Sequence, residues 1–267
     1  MNLQDNLFPS RLAIAMRRIL LLLADLVLLN AQLCTEIPGT LKQIDAGNGF
    51  VIGLEPTGDA YMKFGEDWHY LAGEMKHVTA GAGGVWMIDN NAHAYRLVGG
   101  KLELVSGSFS QIDAGGDLFV AGVNQLTESW CLSRSGLVTK SPSFPGSWAN
   151  LEGSLIYYSC GWRGCWGINT VNEIWFRHGI SSQDCKGTHW EHVPSTFSMV
   201  EVGSDGSVFA VKTNGAVYRR DGITDSRPVG TKWTIMRDIN AKIKHLAYDL
   251  NILWLITEED KILRCQM

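Results

Sequence analysis

The side chains in this sequence best suited to surface chemistry are aromatic: it holds ten Trp and seven Tyr. An aromatic face stacks on the apolar face of a sugar ring while neighbouring Asp, Asn and Arg bond its hydroxyls. Trp68, Trp148, Trp190 and Trp233 recur at one position of a repeating pattern. Arginine recurs beside an aromatic or Leu in Tyr95-Arg96, Trp175-Phe176-Arg177, Tyr218-Arg219-Arg220 and Leu263-Arg264. Such repetition reads either as packing between units or as a set of equivalent weak ligand sites, which together make a multivalent binder. Trp162 and Arg163, in the tip GWRG, differ from these because a hairpin tip does not easily bury an indole.

Residues for catalysis or metal binding are sparse. There is no Gly-x-Ser-x-Gly, no phosphate-binding glycine loop opening a helix, and hardly a helical segment. His189 and His192 flank Glu191 in HWEH, but a strand puts residues three apart on opposite faces, which argues against a zinc pair. The Cys160 to Cys165 spacing fits neither a redox nor a zinc motif. Asp205 in GSDGS lacks the clustered acids that a calcium loop needs, so calcium is not indicated and no cofactor is expected.

The elements that carry these residues are short. LKQIDAGNGFVIGLEPTGDAYMKFGEDW, residues 41–68, holds three apolar or alternating runs, each closed by a Gly-, Pro- or Asp-bearing turn, and Trp68 opens a fourth. Such runs are antiparallel strands joined by hairpins. The pattern returns in MKHVTAGAGGVWMIDNNAHAYRLVGG and FSQIDAGGDLFVAGVNQLTESWCL. The first-strand position falls at Ile44, Val78, Ile112, Tyr158, Val200 and Leu246; the fourth strand opens at Trp68, Leu102, Trp148, Trp190 and Trp233. The last repeat stops after three strands with KILRCQM, whereas CTEIPG, from Cys34, has the fourth-strand pattern. The expected fold is therefore all-β, a six-bladed β-propeller over residues 34–267 closed by the N-terminal strand Thr35 to Pro38. Closure leaves few exposed edges.

Residues 1–33 stand outside the repeat. Arg17 and Arg18 precede the apolar run Ile19 to Leu29, followed by Asn30-Ala31-Gln32. This predicts a secretory leader, with Met16 a candidate start and Met1 to Ala15 an upstream extension. The core is too short to span a membrane. Removing these residues takes away Arg11, Arg17, Arg18, Asp5 and Asp25 and leaves 20 Lys and Arg against 25 Asp and Glu. That mild acidity argues against nucleic acid or anionic membranes as partners. All six cysteines follow the leader, and an even count in that context reads as disulfides.

Hairpin register pairs the cysteines. Lys63 and Trp68 should face each other across the turn Phe64 to Asp67, and the matching positions in the last unit are Cys265 and Cys34. A bond there would lock the ring, removing about 4–5 kcal/mol of unfolded-state entropy. Cys160 and Cys165 flank GWRG at the positions of Ala46 and Val51, and Cys131 with Cys185 pair by elimination. The longer connections before Trp148, Trp190 and Trp233 are surface loops on one face of the ring. No Asn-x-Ser/Thr sequon is present.

W-x-x-Φ-x-G, then Φ-x-x-Φ-x-x-G, V-(W/F/I)-x-Φ and a turn into an aromatic-Arg strand resemble the tectonin repeat, where Φ is apolar. WHYLAGEMKHVTAGAGGVWMI with AHAYR shows the pattern almost whole, and CTEIPGTLKQIDAGNGFVIGL is similar to the mature start of that family's secreted fish egg lectins. The resemblance covers Cys34 to Met267. Leu102 in a Trp position and Met236-Arg237-Asp238 in place of Pro-Gly depart from it. It implies a lectin for N-acetylglucosamine-type and related sugars on microbial surface glycans, acting in innate immunity, often in eggs. A homodimer is compatible with it. The binding residues expected at blade edges are Asn48 and Asp113 near first-hairpin turns, Trp68, Trp190 and Trp233, and Arg96, Arg177 and Arg219 from third strands. The alternatives are one pocket at Trp162-Arg163 or a secreted protein-interaction scaffold without sugar binding.

Overall fold

A computed structural model describes residues 34–139 and 147–267. The expected leader, residues 1–33, lies outside the described residues, as does part of the connection before Trp148. Each repeat folds as a four-stranded antiparallel sheet with its strands in chain order, and six such sheets form the ring. The first strands, Gln43–Gly47, Met75–Gly81, Gln111–Asp113, Tyr157–Gly161, Met199–Val202 and Ile243–Asp249, line the axis, each beside the next around a closed circle. Ile44, Val78, Ile112, Tyr158, Val200 and Leu246 are fully buried there. They face the blade interfaces, where period-2 apolar positions of two sheets interdigitate.

The sixth sheet is completed by Cys34–Thr40, which pairs antiparallel with Lys261–Gln266. This is the expected closing strand, extended at both ends. Its register sets Cys34 opposite Cys265, and Lys63 faces Trp68 in the first blade. The glycine of W-x-x-Φ-x-G has a backbone task in three fourth strands. Gly39, Gly107 and Gly153 adopt φ of 115°, 143° and 105° at bulges where the register shifts. Only glycine takes that conformation without strain.

The six blades are not equivalent; they associate as three pairs. Gln43 in blade one donates to the Val78 carbonyl and accepts from the Val78 amide of blade two. Gln111 in blade three does the same to Tyr158 of blade four. In blade five Met199 takes that place, its sulfur accepting from the Leu246 amide of blade six. The other interfaces are aromatic. Trp86 meets Trp148 edge-on at 6.4 Å and Trp166 meets Trp233 at 5.7 Å, while Trp254 and Trp68 share a third cluster. The Gln and Met contacts thus alternate with indole contacts around the circle, while the Ala114 amide donating to Thr79 and the Val202 amide donating to Ser159 add hydrogen bonds at two of the indole interfaces.

Candidate functional site

The recurrent Trp of the fourth strand faces a cation across the hairpin in three blades. Lys63 lies 5.5 Å from the Trp68 ring, Arg177 5.2 Å from Trp190 and Arg220 5.1 Å from Trp233. In the sixth blade the same slot holds Cys265 and Cys34, which are bonded. Trp68 and Trp233 pack inside interblade clusters, so their ring faces serve the fold. The third-strand arginines do not share one slot. Arg96 and Arg219 are equivalent, opposite Trp86 and Phe209, whereas Arg177 lies one residue further, level with Lys63 and Arg220. One residue of offset along the strand thus separates two kinds of arginine.

These arginines already have partners. Arg177 is buried, bonds Glu152 through both terminal nitrogens at 2.5 and 3.1 Å, and donates to the Lys186 carbonyl. The pairing holds the Glu152 carboxyl below its usual pKa. Arg96 bonds Glu103 and the Leu137 carbonyl. Arg219 pairs with Asp221 at 3.1 Å on an exposed surface. Asn48 and Asp113 do not join the tryptophans at blade edges. Asn48 stands at the mouth of the axis, and Asp113 is buried below it, accepting from the amides of Gly115 and Cys160. Their place follows from topology: the first hairpin caps the innermost strands.

What the structure does assemble at a blade edge is a cleft of about 280 Å³ with Trp190 and Trp175 as aromatic walls. Gly153, Ser154 and Leu155 arrive from the preceding blade, and Asn169 and Thr170 from the second hairpin of blade four. The Trp190 indole donates to the Glu152 carbonyl at 2.8 Å, which fixes its plane. Trp175 is half-buried and rests on His192 at 4.8 Å. Its position opposite Gly167 recurs as Tyr61, Tyr95, Trp130 and Tyr218, with Leu263 in the last blade. Tyr95, Trp175 and Tyr218 precede an arginine by one or two residues in the sequence, whereas Tyr61 and Trp130 have no arginine beside them and join the series only through register.

A second cavity, about 200 Å³, opens at the axial mouth between Asn48, Asp117, Trp162 and Ser204, floored by Glu201. Trp162 is 47% exposed, and Arg163 stacks on it at 3.8 Å while pairing with Asp225 at 2.9 Å. Beneath lie three buried carboxyls, Asp45, Asp113 and Glu201, one from each odd-numbered blade. Burial pushes the Asp45 pKa up to about 6. Burial, then the charge of Asp45, raises Asp113 and Glu201 well above their usual values, and Asp113 adds to the effect on Glu201. Among the described residues no group of three His, Cys, Asp or Glu is placed to hold a metal ion. His189 stacks on His178 at 4.5 Å, apart from the His192 contact with Trp175.

The tectonin domain family matches residues 40–258, most of the ring. The chain belongs to the tectonin family. Over 233 residues this tectonin is 48% identical to "Fish-egg lectin" of the carp Cyprinus carpio, covering 87% of this chain and 98% of that protein. Among solved structures it is similar to the β-propeller domain of Myceliophteria thermophila Cps50 (Swd1), with TM-score 0.58, 7% identity and coverage of 88% and 100% of the two chains. Virginiamycin B lyase of Staphylococcus aureus gives TM-score 0.55 and 12% identity, covering 84% of this chain and 79% of that one. At such identities these two likenesses concern the propeller fold alone.

Proposed function

We propose that this tectonin is a secreted, non-catalytic lectin for N-acetylglucosamine-type and related sugars on microbial surface glycans, serving innate defence. The observation that carries this reading is its 48% identity to a fish-egg lectin across 98% of that protein. Three disulfides support an oxidising, extracellular setting, and the expected leader at residues 1–33 would direct export. The cleft of Trp175 and Trp190 offers stacking faces beside the Thr170 hydroxyl and the backbone of Gly153, the mixture a monosaccharide needs. Tyr61, Tyr95, Trp130 and Tyr218 supply the equivalent aromatic in other blades. Each site alone is weak, near millimolar or about 4 kcal/mol, and useful avidity comes from several engaging one repeating glycan.

A glycan array on residues 34–267, followed by agglutination of sugar-coated beads, tests the proposal. Binding should rise steeply with sugar density, free monosaccharide should compete poorly, and Trp175→Ala should weaken agglutination several-fold. Absence of any sugar binding would refute the lectin reading in favour of a protein-interaction scaffold. One micromolar site per chain, lost in Trp162→Ala and kept in Trp175→Ala, would move the site to the axial mouth.

A further inference from the structure

One groove on the ring carries charge that the sugar-stacking cleft does not use. It lies between the outer strand of blade four, Trp190–Thr196, and the loop 222–231 of blade five, with a volume of about 380 Å³. Arg220 and Arg227 line it, together with His178, His192 and Glu191. The protein as a whole is acidic, with a net charge of −4, so two arginines in one concavity run against its average.

Both guanidinium groups keep free donors. Arg220 donates only through Nε, to the Val229 carbonyl at 2.7 Å, and its body is held against Trp233. Among the described residues its two Nη groups have no hydrogen-bond partner, and the side chain of Arg227 has none either. Glu191 lines the same groove, and its charge and that of Asp221 act on Arg220, but among the described residues neither is bonded to it; each bonds other groups. Glu191 bonds His178 at 2.7 Å and forms no ion pair with Arg220, while Asp225 is pulled toward Arg163 on the other side of its loop. Asp221 bonds Thr234 and Arg219. The loop carrying Arg227 is itself constrained: Thr224 and Arg227 exchange backbone hydrogen bonds of 3.1 and 3.0 Å, and the Gly230 amide donates to the Arg227 carbonyl. By its lining the concavity is net positive, two arginines against Glu191, with unspent N–H donors from Arg220 on its strand and Arg227 on its hydrogen-bonded loop.

We propose that this groove binds the carboxylate or phosphate substituent of an acidic sugar residue. Guanidinium forks match either anion, and Arg220, partly buried and anchored against Trp233, with Arg227 beside it on the groove rim, holds it more strongly than surface lysines would. The inference rests on the lectin reading and gives it a chemical preference: the aromatic cleft takes the ring of a sugar, and this separate groove on the same outer strand selects polymers that also carry anionic residues.

The test compares two matched pairs of polymers on immobilised surfaces: polygalacturonate against its methyl ester, and phosphomannan against mannan. The wild type should prefer the acidic member of at least one pair by about tenfold, the loss expected for one charge-assisted pair. The pair that responds identifies the anion. Arg227→Gln, at an exposed position, should abolish most of that preference without changing the melting temperature. Equal binding of acidic and neutral members, or a preference that survives Arg227→Gln, would overturn the proposal. Chitin oligosaccharides measured in parallel separate the two readings. Chitin binding without any acidic preference overturns only the groove. An acidic preference lost in Arg227→Gln supports the groove even where chitin fails to bind.

Discussion

Arg177 illustrates how a residue type misleads when its slot is unknown. By sequence it is an arginine beside an aromatic, a fitting arm for a sugar hydroxyl. In the fold its side chain is only 2% exposed, and it ties the outer strand of blade three, through Glu152, to the loop of blade four that carries Cys185. Glu152 itself is largely exposed, so solvent screens the ion pair and most of the contribution comes from the buried guanidinium and the Lys186 carbonyl it satisfies. Arg177→Met keeps much of the volume and removes the donors. It should cost about 1–3 kcal/mol in urea unfolding; a variant as stable as the wild type would show that Arg177 is not a structural tie.

At the scale of the first strands, the axial carboxyls make stability depend on pH. A carboxyl whose folded pKa is raised contributes stability that is fully present below its unfolded pKa and lost as pH rises through the folded value. Asp45, Asp113 and Glu201 all act in this sense. His77 and His245 act oppositely: burial lowers each to about 3, so their contribution is present above 6.5 and lost as pH falls. Replacing one carboxyl removes its own share together with the push it exerts on its neighbours, and both act in the same direction. Glu201, which accepts a long bond from Ser159 at 3.4 Å and also interacts with the Asp45 carboxyl, is chosen for its place at the floor of the axial cavity. Glu201→Gln should match the wild type near pH 4 and become progressively more stable than it between pH 5 and 8, as followed by thermal melts. A constant difference across that range would mean that Glu201 ionises normally. The alternation of carboxyls with Thr79 and Ser159 was present in the sequence, but only the ring brings residues so distant in the chain to one axis.

For the whole molecule, closure of the ring decides how much each disulfide matters. Cys34 and Cys265 are separated by 231 positions, and Cys160 and Cys165 by 5. By loop entropy the first should contribute about 5 kcal/mol and the second about 2 kcal/mol. The paired variant Cys34→Ala, Cys265→Ala should therefore melt well below Cys160→Ala, Cys165→Ala in non-reducing scans. The reverse order would contradict closure as the source of the difference. The same geometry sets the distribution of the aromatic slot: a ring presents Tyr61, Tyr95, Trp130, Trp175 and Tyr218 at successive angles around its rim, so simultaneous engagement requires a surface or a polymer rather than a short oligosaccharide.

Blade number, strand order, the closing role of Cys34–Thr40 and the facing of Cys34 with Cys265 were all legible in the residues. They depend on local periodicity and on hairpin register, which nearby residues impose. Three things required the folded ring. The first is the pairing of blades, because Gln43 and Gln111 act on amides a whole repeat away. The second is the split of the arginines into two slots, since a one-residue shift along a strand reverses the face and the neighbours. The third is the grouping of side chains into cavities. Asn48, Asp117, Trp162 and Ser204 come from four hairpins and meet only at the axis, while Trp175 and Trp190 gain a cleft only where the preceding blade closes over them. Repetition encodes the frame, but a ligand site is made between repeats, where no short-range signal in the chain can describe it.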